Sequence, residues 1–302
     1  MLVKAITPRG YCKGVVRAID IVKKASELEG PIYILGMIVH NRYIVSALKE
    51  LGVKTIDHKD KTRLELLDEI DSGTVIITAH GAGDQVFIKA KEKGLNVIDA
   101  SCLDVIKTHE LIKDRINDGY EILYIGKKGH PEAEGAILID EDKIHLITNK
   151  DDIDKLNKNK RYVMTNQTTM SLYDVFDLCE YASQVLPHVE IAKETCTATK
   201  IRQEAIKNID KDVDIVFIVG DPHSNNTKKL ASIASENREV YMIESIEDLE
   251  IQSLLGKKKA AVSSGASTPT YLTNQVIDYL EQFDENNKET YIKPIIEKDK
   301  IL

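Results

Sequence analysis

Two rhythms of apolar residues alternate along this chain. Short continuous apolar runs read as buried strands, and stretches with apolar residues three and four apart read as amphipathic helices. The first series predicts helix over 14–29 (apolar at Val15, Val16, Ala18, Ile19 and Val22), then strand over 32–35 and helix over 43–50. It continues with strand 53–56, helix 64–70, strand 74–78, helix 85–93 and strand 96–100. A second series predicts helix 105–117, strands 121–125 and 161–165, and helix 172–185. A third predicts helix 199–208, strands 214–219 and 259–262, and helix 272–283. Polar stretches at 151–160 and 256–259 read as surface loops, and the segment after Asp284 as a tether lying over the surface. Strands alternating with helices are the pattern of parallel α/β layers.

The three series are copies of one plan. Cys12 and Cys102 lie 90 residues apart, and Cys102 and Cys196 lie 94 apart; Gly36, Gly126 and Gly220, each closing an apolar run, keep the same two intervals. Each cysteine follows an extended stretch and opens a helical one, with a lysine eleven residues on (Lys23, Lys113, Lys207). The repeat predicts three α/β domains: 14–101, 102–195, and 196–284 together with the N-terminal strand 1–13, followed by a tail over 285–302. The strand over 2–6 has no partner in its own series, so the register of the repeat assigns it to the third sheet.

Composition narrows the class. A chain of 302 residues exceeds the usual size of one core. Its 42% hydrophobic and 30% charged content is that of an ordinary water-soluble protein. A net charge of −8 argues against nucleic-acid binding. No apolar run approaches the ~20 residues that span a bilayer, and residues 1–8 lack the basic and long apolar regions of a secretory signal. The expectation is a cytoplasmic protein whose four cysteines are thiols or metal ligands rather than disulfides.

A threefold arrangement with one thiol per repeat makes a three-thiolate pocket. Such a pocket suits an iron–sulfur cube, three of whose corners it holds while the fourth iron stays open; zinc with a histidine as fourth ligand is the competing metal. Helix N-termini, where all three thiols sit, favour a thiolate and a negatively charged cluster. Cys179 falls inside an amphipathic helix at no repeat position and reads as a core or half-buried thiol.

Six polar segments follow the strands. They are 39–43 with His40, 79–81 with His80, 129–135 with His130 and Glu132, 167–169 with Thr168, 221–227, and 265–267. Ligands of parallel α/β sheets bind beyond the carboxyl ends of the strands. Neutral donors, imidazoles and backbone N–H groups suit a diphosphate. His223 lies one residue off the pattern and is left out, whereas Glu132 beside His130 and a threonine makes a proton relay. Gly81-Ala82-Gly83-Asp84 lacks the third glycine of a dinucleotide fingerprint.

Taken in order, Gly10–Ile19, Val39–Tyr43, Ala79–Gly81, Asp99–Cys102, Gly129–Gly135, Gln167–Thr169 and Gly265–Ser267 resemble the LytB-type 4-hydroxy-3-methylbut-2-enyl diphosphate reductases. These are the last enzymes of the methylerythritol phosphate route to isoprenoids. The resemblance covers about residues 2–279. It implies a cloverleaf of three α/β domains with parallel sheets around a central [4Fe-4S] cluster on Cys12, Cys102 and Cys196. It implies reductive dehydroxylation to isopentenyl and dimethylallyl diphosphate, with Glu132, Thr168 and His130 catalytic. The diphosphate would meet His40, His80, His130, Thr168, Ser224, Asn225, Asn226 and Ser267. Asn225 stands where many members carry serine, and Leu103 where proline is common after the second cysteine. Electrons would come from a ferredoxin or flavodoxin, since the chain shows no flavin or nicotinamide site. Two alternatives remain at this stage. One is a quinolinate-synthase-like enzyme, against which the His-Asn-Arg-Tyr and Gln-Thr-Thr motifs speak; the other is a cluster or zinc protein serving as a sensor or interaction module.

Overall fold

The computed structural model describes residues 1–58, 60–192, 196–236 and 238–302. It contains three four-stranded sheets, all of whose strand pairs are parallel. The elements of the first sheet and its helices are α1 (Lys13–Ala25), β2 (Ile32–Leu35), α2 (Arg42–Glu50), β3 (Val53–Ile56), α3 (Arg63–Leu66), β4 (Thr74–Ile77), α4 (Asp84–Glu92) and β5 (Asn96–Asp99). Those of the second are α5 (Leu103–Asn117), β6 (Glu121–Ile125), α6 (Pro131–Ile137), β7 (Ile144–Ile147), α7 (Lys150–Asp154), β8 (Tyr162–Asn166), α8 (Leu172–Val185) and β9 (Val189–Ile191). The third is built from β1 (Leu2–Ala5), α9 (Thr197–Lys207), β10 (Ile215–Val219), α10 (Asn225–Ser235), β11 (Glu239–Ile243), β12 (Lys259–Ser264) and α11 (Thr270–Gln282). Strand orders are β3-β2-β4-β5, β7-β6-β8-β9 and β1-β12-β10-β11, the same arrangement three times. As the repeat register predicts, β1 pairs with β12, Leu2 opposite Lys259 and Ala5 opposite Val262.

In each sheet one interior strand buries every residue. Thr74–Ile77, Tyr162–Asn166 and Ile215–Val219 are covered throughout, which is why they read as continuous apolar runs rather than alternating ones. In the third sheet one face packs Phe217, Val219 and Val262 against Val276 and Leu280 of α11 and Phe283 at its C-cap. Its other face packs Val216, Ile218 and Ala261 against Ile206 of α9 and Leu230 of α10. The second sheet is likewise covered on both faces, with Met164 and Leu178 on one side and Tyr124, Ile112 and Ala136 on the other. This double coverage is the layer arrangement expected from the alternating pattern.

The chain divides into two compact units: residues 1–13, 40–47 and 197–302, and residues 14–39 and 48–196. The first holds the third sheet, and the second holds the other two.

Several elements depart from the sequence expectation. The edge strands β7 and β11 are absent from the predicted set, because each is half-exposed and carries polar residues (His145, Glu239) that break the apolar run. The start of the expected loop 151–160 is taken up by α7 (Lys150–Asp154), a helical turn started by an Asn149–Asp152 capping box. The helix expected over 64–70 is α3 followed by a tighter turn at Leu67–Glu69. Ahead of the second sheet's midpoint, α6 is a further helix the pattern did not give; Pro131 at its first position and His130 as its N-cap start it.

Candidate active site

Each of the three repeat cysteines directly precedes a helix: Cys12 before α1, Cys102 as the N-cap of α5, and Cys196 before α9. All four cysteines are thiols, and the three in register are half-buried. Cys12 and Cys102 are set by equivalent bonds. The Cys102 N–H donates to the Ala79 carbonyl at 2.9 Å, and the Cys12 N–H to the Ala266 carbonyl at 3.0 Å. Ala79 precedes His80 and Ala266 precedes Ser267, so the repeat ties a thiol to a polar segment in the same way twice. Residues 193–195, just ahead of Cys196, lie outside the described residues.

The loop before Cys12 is held from both sides. The Gly10 N–H donates to Ser264 Oγ at 2.7 Å, and Arg202 Nη2 donates to the Gly10 carbonyl at 2.9 Å. Gly10 has φ 73°, and a Cβ there would lie 2.3 Å from Thr270 Oγ1, so only glycine lets this loop close on α11. Cys179 differs. It packs beside the core of the second sheet, and burial pushes its thiol up to about 11, which keeps it protonated and unreactive. Half-buried like the other three, it fits its reading as a core or half-buried thiol.

In the unit of residues 14–39 and 48–196, Glu132 is the buried acid. It is 2% exposed and occupies the first turn of α6. The Thr168 N–H donates to its Oε1 at 2.7 Å and Thr168 Oγ1 donates to its Oε2 at 2.9 Å. The Tyr124 hydroxyl, at 3.4 Å from Oε1, is a third and longer contact. Burial pushes the Glu132 carboxyl up to about 7; the bonds from Thr168 and Tyr124 oppose the rise without cancelling it. A carboxyl that holds its proton near neutrality, gripped in one orientation, is a poised acid.

His130 caps α6, its Nδ1 accepting from the Glu132 N–H at 3.2 Å. That bond leaves the proton of a neutral ring on Nε2. The His80 ring stands edge-on to it, centroids 5.5 Å apart and planes at 89°. His80 is followed by Gly81 (φ 74°), where a Cβ would lie 2.8 Å from Val105 of α5. Glycine is what lets the His80 segment lie on the helix that Cys102 caps.

In the other unit, Ser224 caps α10, accepting from the Thr227 N–H, and Asn225 and Asn226 open the helix. The Asn226 Oδ1 accepts from the Ala266 N–H at 3.0 Å, which turns its amide so that the buried Nδ2 has no protein acceptor. An orphaned buried donor at a helix N-terminus is the local chemistry of an anion site. The Ser267 Oγ donates to the His40 carbonyl at 3.1 Å, linking two more of the segments singled out in the sequence.

Sequence reasoning therefore named Glu132, Thr168 and His130, which the fold brings into one bonded group, and it placed Ser224, Asn226, Ser267 and His40 on connected segments. It missed Tyr124, whose hydroxyl reaches Glu132, and Arg63, buried beneath the His80 and His130 segments. A tyrosine within an otherwise aliphatic buried strand needs a hydroxyl partner, which was the available signal for Tyr124. Arg63 gave none: an arginine opening a helix reads as a surface charge.

Three parallel sheets with helices make this an α/β protein, and thiols at helix starts with a buried acid give it the donor groups of a redox enzyme. Residues 3–281 match the family described as LytB protein, and the chain belongs to that family. It is 50% identical over 297 residues to the 4-hydroxy-3-methylbut-2-enyl diphosphate reductase of Geobacillus sp. (strain WCH70), covering 96% of this chain and 94% of that one. It is 47% identical to the enzyme of the same name from Lysinibacillus sphaericus (strain C3-41), over 100% of this chain and 95% of that one. Among solved structures it is similar to the E-1-hydroxy-2-methyl-but-2-enyl-4-diphosphate reductase of Plasmodium falciparum. That match has a TM-score of 0.85 and 33% identity, covering 92% of this chain and 87% of that one. A second solved reductase, titled as the terminal enzyme of the non-mevalonate pathway, gives a TM-score of 0.68 at 30% identity over 94% of this chain.

Proposed function

We propose that Glu132 delivers the proton, and that Cys12, Cys102 and Cys196 hold a [4Fe-4S] cluster, in the reaction this chain performs. That reaction is the reductive removal of the allylic hydroxyl of 4-hydroxy-3-methylbut-2-enyl diphosphate in isoprenoid biosynthesis. Two electrons and two protons enter, the hydroxyl leaves as water, and protonation at either end of the allylic unit gives isopentenyl or dimethylallyl diphosphate.

The donor set fits the cofactor. The thiols stand at helix starts, where the dipole and N–H groups favour a thiolate and the net negative charge of a cluster. A cluster held by Cys12, Cys102 and Cys196 would supply electrons and Lewis-acid chemistry there. The proposed diphosphate ligands are His40, His80, His130, Thr168, Ser224, Asn225, Asn226 and Ser267. Asn226 Nδ2 and the first N–H groups of α10 donate to phosphate oxygens. Held at that end, the allylic end is oriented for reaction.

Thr168 orients the Glu132 carboxyl through both of its oxygens, and burial keeps the acid protonated until it is needed. His130 caps the acid's helix and fixes its first turn, its Nδ1 accepting from the Glu132 N–H. A proton lost from the Glu132 carboxyl is replaced through the Thr168 hydroxyl, which donates to its Oε2. The single observation that carries this reading is the buried carboxyl at about 7, gripped by Thr168. A ferredoxin or flavodoxin is the proposed electron donor. The thiols and an oxygen-sensitive cluster suit the reducing cytoplasm, and among the described residues no helix is long and apolar enough to cross a membrane.

The test is anaerobic oxidation of a reduced viologen that depends on 4-hydroxy-3-methylbut-2-enyl diphosphate, normalised to bound iron. Turnover to five-carbon diphosphates is expected. A protein with a complete four-iron cluster and no turnover would overturn the assignment of substrate.

A further inference from the structure

Arg63 opens the four-residue helix α3, directly after its cap Thr62. A long basic side chain there ordinarily runs out to water. Here it is 4% exposed, and burial lowers the guanidinium only to about 10, so it stays charged at neutral pH. Its side-chain hydrogen bonds go to neutral oxygens. Nη2 donates to Thr78 Oγ1 at 2.8 Å and Nη1 to the Pro131 carbonyl at 3.1 Å, while Nε makes a long contact of 3.5 Å with the Leu35 carbonyl. Glu134 and Asp57 act on the guanidinium through space, and the bond Glu134 accepts comes from the Arg63 backbone N–H at 3.2 Å. A buried cation bonded to neutral acceptors is costly, and the through-space pull of Glu134 and Asp57 offsets only part of the desolvation.

The acceptors explain the position. Leu35 ends β2, Thr78 lies just past β4 and two residues before His80, and Pro131 sits between His130 and Glu132. One planar fork thus reaches from the carboxyl end of the first sheet to the first turn of α6. We propose that Arg63 is a positioning residue for the reaction: it ties the His80 segment to the turn bearing His130 and Glu132, and sets a buried positive charge behind both. The charge adds to the potential that draws the diphosphate, and the fork fixes the acid relative to the histidines. This inference rests on the proposed function and goes beyond it in naming a residue outside the substrate contacts.

The experiment compares Arg63→Gln, Arg63→Lys and Thr78→Val as iron-loaded enzymes, by kcat and KM and by calorimetric binding of inorganic diphosphate. Glutamine removes charge and fork, so diphosphate should bind about tenfold more weakly and kcat should fall about a hundredfold. Lysine restores charge without the fork, so diphosphate affinity should return to within about threefold of wild type while kcat stays at least about tenfold low. Thr78→Val, which removes one acceptor and leaves the cation in place, should lower kcat without changing diphosphate affinity. Wild-type kcat and diphosphate affinity in folded glutamine and lysine variants would overturn the proposal. So would a lower unfolding temperature with unchanged kcat per iron, because that marks a purely structural role. If wild type binds diphosphate but turns over no substrate, the assigned reaction fails. The diphosphate affinities of the three variants still decide the charge half of this inference, and equal affinity in all of them would overturn it.

Discussion

Exchanging Glu132 for glutamine separates the acid's chemistry from its place in the fold. Burial raises this carboxyl from 4.5 to about 7. At low pH the acid is protonated in both folded and unfolded chains, and nothing is lost. As pH rises through 4.5 the unfolded chain releases the proton while the folded one keeps it, so stability falls; the loss is complete once pH passes about 7. A gap of about 2.5 units corresponds to about 3 kcal/mol, of which about 2 kcal/mol develops between about pH 5.5 and 8.5. Glutamine has the same shape, accepts from the Thr168 N–H, donates to Thr168 Oγ1 and does not titrate. Its stability relative to wild type should therefore climb by about 2 kcal/mol over that interval, read by anaerobic urea unfolding followed by far-ultraviolet dichroism. Turnover should fall by about 10²–10⁴ with iron content and substrate binding intact, the range for losing a general acid. Wild-type kcat should be level below about pH 7 and decline above it, as the acid loses its proton. Parallel stability curves for wild type and variant would refute the raised carboxyl, and wild-type turnover in the variant would remove Glu132 from proton delivery.

Removing the Tyr124 hydroxyl with Tyr124→Phe takes away a bond that stabilises the Glu132 anion, so the alkaline decline of kcat should move to higher pH; a shift to lower pH would contradict the contact. Cys12→Ser, Cys102→Ser and Cys196→Ser should each lose bound iron and sulfide on anaerobic purification, whereas Cys179→Ser should keep the full amount, since its thiol packs beside a core. Asn226→Ala deletes the orphaned buried donor and should raise KM about tenfold with little change in kcat, the loss of one hydrogen bond to a charged group. Gly81→Ala forces a methyl to 2.8 Å from Val105 at a positive φ and should cost about 1–3 kcal/mol by thermal or urea unfolding; an unaffected midpoint would mean that the His80 segment does not press on α5.

The proton-donating group shows how differently its members appear in a linear text. Glu132 and His130 are two residues apart and Thr168 belongs to a short polar run after an apolar strand, so residue type and position after a strand were enough to single them out. Tyr124 lies within an apolar strand, where its ring looks like core and only the folded distance to Glu132 gives its hydroxyl a task. Arg63 is further out of reach. Whether an arginine at a helix start faces water or the interior depends on what lies beneath it, and here that is Pro131 of another sheet's helix, 68 residues along the chain.

By itself the sequence determined the repeated α/β plan, the central strands, the three thiols in register and most of the polar segments beyond the strands. These follow from local periodicity and from copies of one plan kept at nearly constant spacing, both of which survive in a one-dimensional record. Tertiary structure alone decided the edge strands β7 and β11, the raised acidity constant of Glu132, the orphaned donor of Asn226 and the burial of Arg63. Each of those depends on desolvation or on an acceptor brought close from a distant part of the chain, and neither quantity is a property of neighbours in sequence.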